Sequence, residues 1–91
     1  MGDAGGAGTY SIGWQNPASV NFYGARVWKA ATGAGFGAAT NVGGLRLGAP
    51  NSADSYAPSG ISAGTYDLWV TAENASAAQS VEAGPVTVIV T

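Results

Sequence analysis

Proton transfer and nucleophilic attack need side chains that ionise near neutrality, and this 91-residue chain holds neither His nor Cys. Such work would fall to carboxylates, to Lys29 or to a Tyr. The five acids, Asp3, Asp54, Asp67, Glu73 and Glu82, stand singly. Asp67 and Glu73 share one face of an alternating stretch, yet they lie roughly 20 Å apart at strand rise. Paired glycosidase carboxylates sit within about 10 Å of each other. The expectation is solvated charges on a sheet face and no catalytic residue. Asp54 with Asn51 and Ser52 offers oxygen ligands, but not at EF-hand spacing, and without thiolates no metal site is expected. The glycines form neither GxGxxG nor GxxxxGK[ST], so no phosphate cradle and no cofactor are expected. Asn74-Ala75-Ser76 fits the N-glycosylation acceptor pattern, a three-residue match that arises readily by chance.

Charge narrows the partners further. The net charge is −2, and Arg26, Lys29 and Arg46 are the only cations. Three cations neutralise too few phosphates for nucleic-acid binding. No apolar run approaches the ~20 residues that span a bilayer, and no charged-then-apolar leader opens the sequence. No membrane insertion is expected, and any secretion signal would lie outside these residues.

What remains is aromatic: three Trp, four Tyr and two Phe. The strands that must position them can be read from alternation. Length allows one domain. The apolar fraction of 46% is mostly Ala (18 residues), against 8 Val, 3 Ile, 3 Leu and 2 Phe, so the expected core is thin. Residues 1–8, rich in Gly and Ala, read as a flexible lead, and residues 9–91 as the domain. Tyr10, Ile12 and Trp14 alternate with Ser11 and Gly13 until Asn16-Pro17 stops the strand. Tyr23, Ala25 and Val27 alternate with Gly24, Arg26 and Trp28 in a second strand ending near Ala30. Residues 32–53 suggest loops, relieved only by Leu45-Arg46-Leu47. A short strand is expected over 55–61, where Pro58 would confine it to an edge or a bulge. Ala63-Gly64 makes a turn. The clearest strand then sets Tyr66, Leu68, Val70 and Ala72 on one face and Asp67, Trp69, Thr71 and Glu73 on the other. A turn or loop over 74–80 leads to Val86, Val88 and Val90, with Thr87 and Ile89 opposite. No 3.6-residue apolar period persists, which argues against helix. Short strands at regular spacing with turns between them mark a sandwich or barrel.

Four stretches together resemble a fibronectin type III domain, and more narrowly the versions found in bacteriophage tail proteins. They are Tyr-Ser-Ile-Gly-Trp-Gln-Asn-Pro (10–17), Asn-Phe-Tyr-Gly-Ala-Arg-Val-Trp-Lys (21–29), the run from Asp54 to Asn74, and Gly-Pro-Val-Thr-Val (84–88). The resemblance implies an all-β, immunoglobulin-like, two-sheet Greek-key sandwich of six to seven antiparallel strands. Trp14, Val27, Tyr66, Leu68 and Val70 would be structural core, and Tyr66 would be a tyrosine-corner residue with its hydroxyl bonded to nearby backbone. The spacing from Ile61 to Tyr66 is one residue shorter than in the animal form of the motif. No convincing first strand precedes Tyr10: it is missing, or residues 1–8 form a poor one. If it is missing, the edge beside Tyr10 is open to strand addition by a neighbour.

In that fold the strands carrying Trp28 and Trp69 are neighbours, so Arg26, Trp28 and Trp69 would share an outward face, with Arg26 able to lie over a ring. Outward Trp residues on a sparsely charged surface suit protein contact or sugar stacking. The alternative is plain cover, shielded by residues 32–53. With the face exposed, Trp69→Ala should leave folding nearly intact, whereas Leu68→Ala should cost roughly 2–4 kcal/mol. The resemblance implies a non-enzymatic structural or accessory module of a phage tail or virion, serving assembly, spacing or weak surface attachment. Its partners would be other virion or tail subunits, and its location the virion or the extracellular space. Alternatives are a module binding host-surface carbohydrate through the Trp face, and a spacer domain of a secreted bacterial enzyme.

Overall fold

In the computed structural model, which describes residues 2–18, 22–74, 76, 78–80 and 83–91, strands form where β-branched and aromatic residues alternate with small or polar ones. Among the described residues these are β1 (Gly2–Gly6), β2 (Thr9–Gln15), β3 (Phe22–Ala31), β4 (Thr40–Leu47), β5 (Ala53–Tyr56), β6 (Gly64–Asn74) and β7 (Ala83–Val90). The only helical piece among them is a 3-10 turn at Phe36–Ala38. A three-stranded sheet, β1-β2-β5, packs against a four-stranded sheet, β4-β3-β6-β7, and all pairings are antiparallel. The chain is an all-β sandwich.

One core fills the space between the sheets. Tyr10, Ile12 and Trp14 of β2 meet Phe22, Ala25 and Val27 of β3, Leu68 and Val70 of β6, and Val88 and Val90 of β7. Leu68 and Val27 are completely buried. Tyr66 is half-buried against this cluster; its hydroxyl donates to the Ser62 carbonyl at 2.7 Å, and Lys29 Nζ stands 4.7 Å from the centre of its ring. The Tyr66 ring thus covers the core edge while its hydroxyl is bonded at the exposed rim.

Four local expectations need correction. Residues 2–6 are not a flexible lead: they form β1, paired with β2 from Gly2↔Gly13 to Gly6↔Thr9. Ladder hydrogen bonds require no side chains, so Gly and Ala suffice once β2 presents an edge. The Gly8 N–H to Thr91 O and Thr91 N–H to Gly6 O bonds tie the end of this hairpin to the end of β7. The first strand is therefore present. Secondly, Tyr23 is 45% exposed and Phe22 takes its place inside, because the β3–β6 register shifts between Phe22 and Gly24 and the alternation restarts.

Thirdly, the segment read as loop contains the eight-residue strand β4. Its alternation is broken by Gly43 and Gly44, whose φ values of 76° and 69° lie in the left-handed region that favours glycine. A Cβ on Gly43 would stand 2.7 Å from the Tyr56 ring, so the bend lets β4 pass close to β5. Fourthly, the strand expected over 55–61 sits earlier, at Ala53–Tyr56, and ends before Pro58.

Candidate functional site

β3 and β6 are the longest strands and run side by side in the four-stranded sheet. Their register brings Arg26 opposite Thr71, Trp28 opposite Trp69, and Ala30 opposite Asp67. Those side chains share the face turned away from the core, since alternation sends Val27, Leu68 and Val70 the other way. Arg26, Trp28 and Trp69 therefore do lie on one face. That face is not open, which corrects the expected exposure.

Phe36 covers the two indoles. Its ring stands edge-on to both, with centroids 5.5 Å from Trp28 and 5.6 Å from Trp69 and interplanar angles of 70° and 69°. Edge-to-face contact sets the positive ring edge against a negative face. Trp69 is left only 4% exposed. Each indole is also held by something other than Phe36. Trp28 Nε1 donates to Thr71 Oγ1 at 2.9 Å. At the Trp69 ring the backbone of β7 passes so closely that a Cβ on Gly84 would stand 3.2 Å from Trp69 Cδ1 and 2.7 Å from the Leu68 carbonyl oxygen.

The polar groups beside the Trp pair are buried, not solvated. Asp67 and Glu73 are each 7% exposed, which overturns the reading of free surface charges. Burial of a carboxylate requires partners. Asp67 has three: Thr87 Oγ1 at 2.8 Å, the Gly33 N–H at 3.1 Å and Thr32 Oγ1 at 3.2 Å all donate to it. The Thr87 hydroxyl, then the Gly33 N–H, and more weakly the Thr32 hydroxyl hold its pKa below the ordinary aspartate value, against the opposing effect of burial. Glu73 pairs with Arg26, whose Nη1 also donates to Asn41 Oδ1 at 3.3 Å. The guanidinium is thus tied to Glu73 and β4, not laid over an indole. The cations that do approach rings are Lys29 at Tyr66 and Arg46 at Tyr56.

The remaining oxygen-rich loop is also occupied internally. Asp54 accepts from Arg46 Nε and Nη2, each at 3.3 Å, and from the Ser55 N–H at 2.7 Å. Ser52 donates to the Ala49 carbonyl at 2.8 Å, and Gln15 Nε2 donates to Asn51 Oδ1 at 3.5 Å. Among the described residues no three His, Cys, Asp or Glu side chains gather in a way that could hold a metal ion. Asn74 Oδ1 accepts from the Ser76 and Ala78 N–H groups and closes the turn after β6, while Ala75, the middle of the glycosylation match, lies outside the described residues.

One feature escaped the sequence reading. At the end of the sandwich where β2 runs out, Trp14, Pro17, Ala25, Val70, Ala72 and Ala83 border a cleft of about 530 Å3. Ala25 stands directly opposite Ala72, so two small side chains meet next to a layer where Val27 faces Val70. Paired alanines on adjoining inner faces were the available signal, but it needs the β3–β6 register to be seen. No protein-family model, curated protein or solved structure matches the chain.

Proposed function

We propose that the chain is a non-catalytic structural module, an immunoglobulin-like Greek-key sandwich of fibronectin type III type that serves assembly or spacing within a phage tail or virion. The observation that carries the non-catalytic part is the commitment of the charged side chains among the described residues. Asp67, Glu73 and Asp54 each accept from structural partners, and Arg26, Arg46 and Lys29 lie against carboxylates or rings of the same chain. An acid or base that serves catalysis must be within reach of substrate and free to exchange a proton. Carboxylates spent on holding strands and loops together serve stability instead.

The Greek-key part is supported by non-sequential pairing: β2 joins β5 and β3 joins β6, so the chain crosses between sheets. The tail or virion part is supported by the resemblance of residues 10–17, 21–29, 54–74 and 84–88 to fibronectin type III modules of phage tails. Partners on this reading are neighbouring tail or virion subunits. Antibody raised against the isolated domain should decorate intact particles of the source phage in negative-stain micrographs. Particles that carry the parent protein by mass spectrometry yet stay undecorated before and after mild disruption would overturn the reading.

A further inference from the structure

We propose that the outer edge of β4 is a self-association surface, on which β4 of a second copy of this chain pairs antiparallel about a twofold axis at Arg46. This goes beyond the assembly role, because it names both the partner and the strand, and it is tested on the chain alone, whatever particle that chain comes from. The sandwich treats its two sides differently. On the β1–β7 side, backbone bonds from Gly8 to Thr91 and from Thr91 to Gly6 join the two sheets. On the other side, side chains link β4 to β5: the Arg46–Asp54 pair, and the Tyr56 ring beside Gly43. The connection from β4 to β5 is drawn toward the end of β2, where the Asn51 N–H donates to the Pro17 carbonyl and the Asn16 N–H to the Ser52 carbonyl.

The ladder fixes which backbone groups of β4 are free. The Gly48 N–H donates to the Tyr23 carbonyl, Leu47 stands opposite Gly24, and Arg46 stands opposite Ala25. Antiparallel alternation then turns the backbone groups of Arg46 toward β3 and those of Leu45 and Leu47 away from it. Among the described residues no hydrogen bond reaches those outward groups. Such a row of unpaired N–H and C=O groups is a template for another strand. β4 carries neither Pro nor Lys to blunt it, and its single charge, Arg46, is turned inward to Asp54. The bend at Gly43 and Gly44 limits the usable edge to residues 45–47. Side chains point to the same contact. Leu47 is 64% exposed, and Leu45 lies over Gly24 on the outward face.

Self-complementarity singles out a second copy as the occupant. With the axis at Arg46, Leu45 of each chain faces Leu47 of the other, and their outward N–H and C=O groups are exchanged in full. The leucines meet across the joint on one face. Gly44 falls opposite Gly48, where no side chain obstructs the approach. Each Arg46 keeps Asp54 as its own counter-charge, so two bare cations do not meet at the axis. A one-residue slip would set free backbone groups against bonded ones. The test is sedimentation equilibrium of wild type and Leu47→Lys, followed by disulfide trapping, which the absence of native Cys makes clean. Wild type should show a reversible monomer–dimer equilibrium below about 1 mM, and Leu47→Lys at least about tenfold weaker association. Its melting temperature in dilute solution should be unchanged, because Leu47 is exposed. Mixed Leu45→Cys and Leu47→Cys chains should form a disulfide joining positions 45 and 47 several-fold faster than either variant alone dimerises. A chain that stays monomeric up to about 1 mM, association unchanged in Leu47→Lys, or faster trapping by one variant alone each overturns the proposal.

Discussion

The two faces of β6 are both buried, and they are buried by different physics. Inward, Leu68 and Val70 are closed in by apolar packing from β2, β3 and β7. Outward, Asp67, Trp69, Thr71 and Glu73 are each no more than 7% exposed, yet their cover is a 3-10 turn, an arginine and a threonine hydroxyl. Apolar burial is non-directional and scales with area. The outer face depends instead on particular donor–acceptor pairs, each of which loses more when one partner is removed than the pair contributes net. A sheet face that looks amphipathic in sequence can therefore be a second interior.

The largest effects test whether the outer face is interior at all. Leu68→Ala should cost about 2–5 kcal/mol and Trp69→Ala about 3–5 kcal/mol in chemical denaturation, as buried large-to-small changes do. This reverses the expectation that Trp69→Ala leaves folding nearly intact. A Trp69→Ala cost under about 1 kcal/mol would mean that the Phe36 cover does not exclude water. Next, Glu73→Ala leaves the guanidinium of Arg26, itself 30% exposed, without its buried partner. A loss of roughly 1–3 kcal/mol is expected, discounted from the fully buried case, and Arg26→Ala with Glu73→Ala should be less than additive.

Asp67 separates the two kinds of burial by pH. Its folded pKa is lowered, so its contribution is complete above the unfolded value of about 3.9 and is lost as pH falls through the folded value. Thermal melts should show Asp67→Asn below wild type by a constant margin above about pH 5, shrinking as pH drops under about 4. A margin that persists unchanged at the acid end would remove the carboxylate from the account. The smallest effect is expected in the core. Tyr10 is 2% exposed, and its hydroxyl has no hydrogen-bond partner among the described residues. Burial, helped by the charges of Tyr56 and Tyr66, pushes its pKa up to about 12. Tyr10→Phe should stabilise by up to about 1 kcal/mol at neutral pH, since an unsatisfied buried group is removed. Because the folded pKa is raised above the unfolded value of about 10, ionisation costs wild type nothing below about pH 10 and destabilises it increasingly as pH rises toward 12. The variant should therefore gain further on wild type in alkali.

Residues with strong local alternation carried their own assignment. Tyr10, Ile12 and Trp14, Leu68 and Val70, and Val88 and Val90 all read as one-sided stretches and all pack between the sheets. The weak places were those where the signal is not in side chains. β1 is made of Gly, Asp and Ala, residue types with little strand preference, and what places it is its antiparallel pairing with β2. β4 is interrupted by two glycines with positive φ. Tyr23 was misplaced because a register shift is a property of two strands together. For the candidate site, the shared face of Arg26, Trp28 and Trp69 was readable from strand phase and the resemblance. Shielding by residues 32–53 was the alternative reading of that face; that Phe36 provides it was not legible, since Phe36 lies in a Gly- and Ala-rich segment with no period of its own.

From sequence alone come the all-β character, the phase of β2, β6 and β7, and the absence of His and Cys. Each of these is local to a few neighbouring residues or to composition. Tertiary structure alone decided that the second face of β6 is an interior. Asp67 finds its donors at Thr32, Gly33 and Thr87, and Trp69 finds its cover at Phe36. Those partners are 20 to 35 residues away along the chain, and only the closed fold brings their dipoles and ring edges to the same few ångströms.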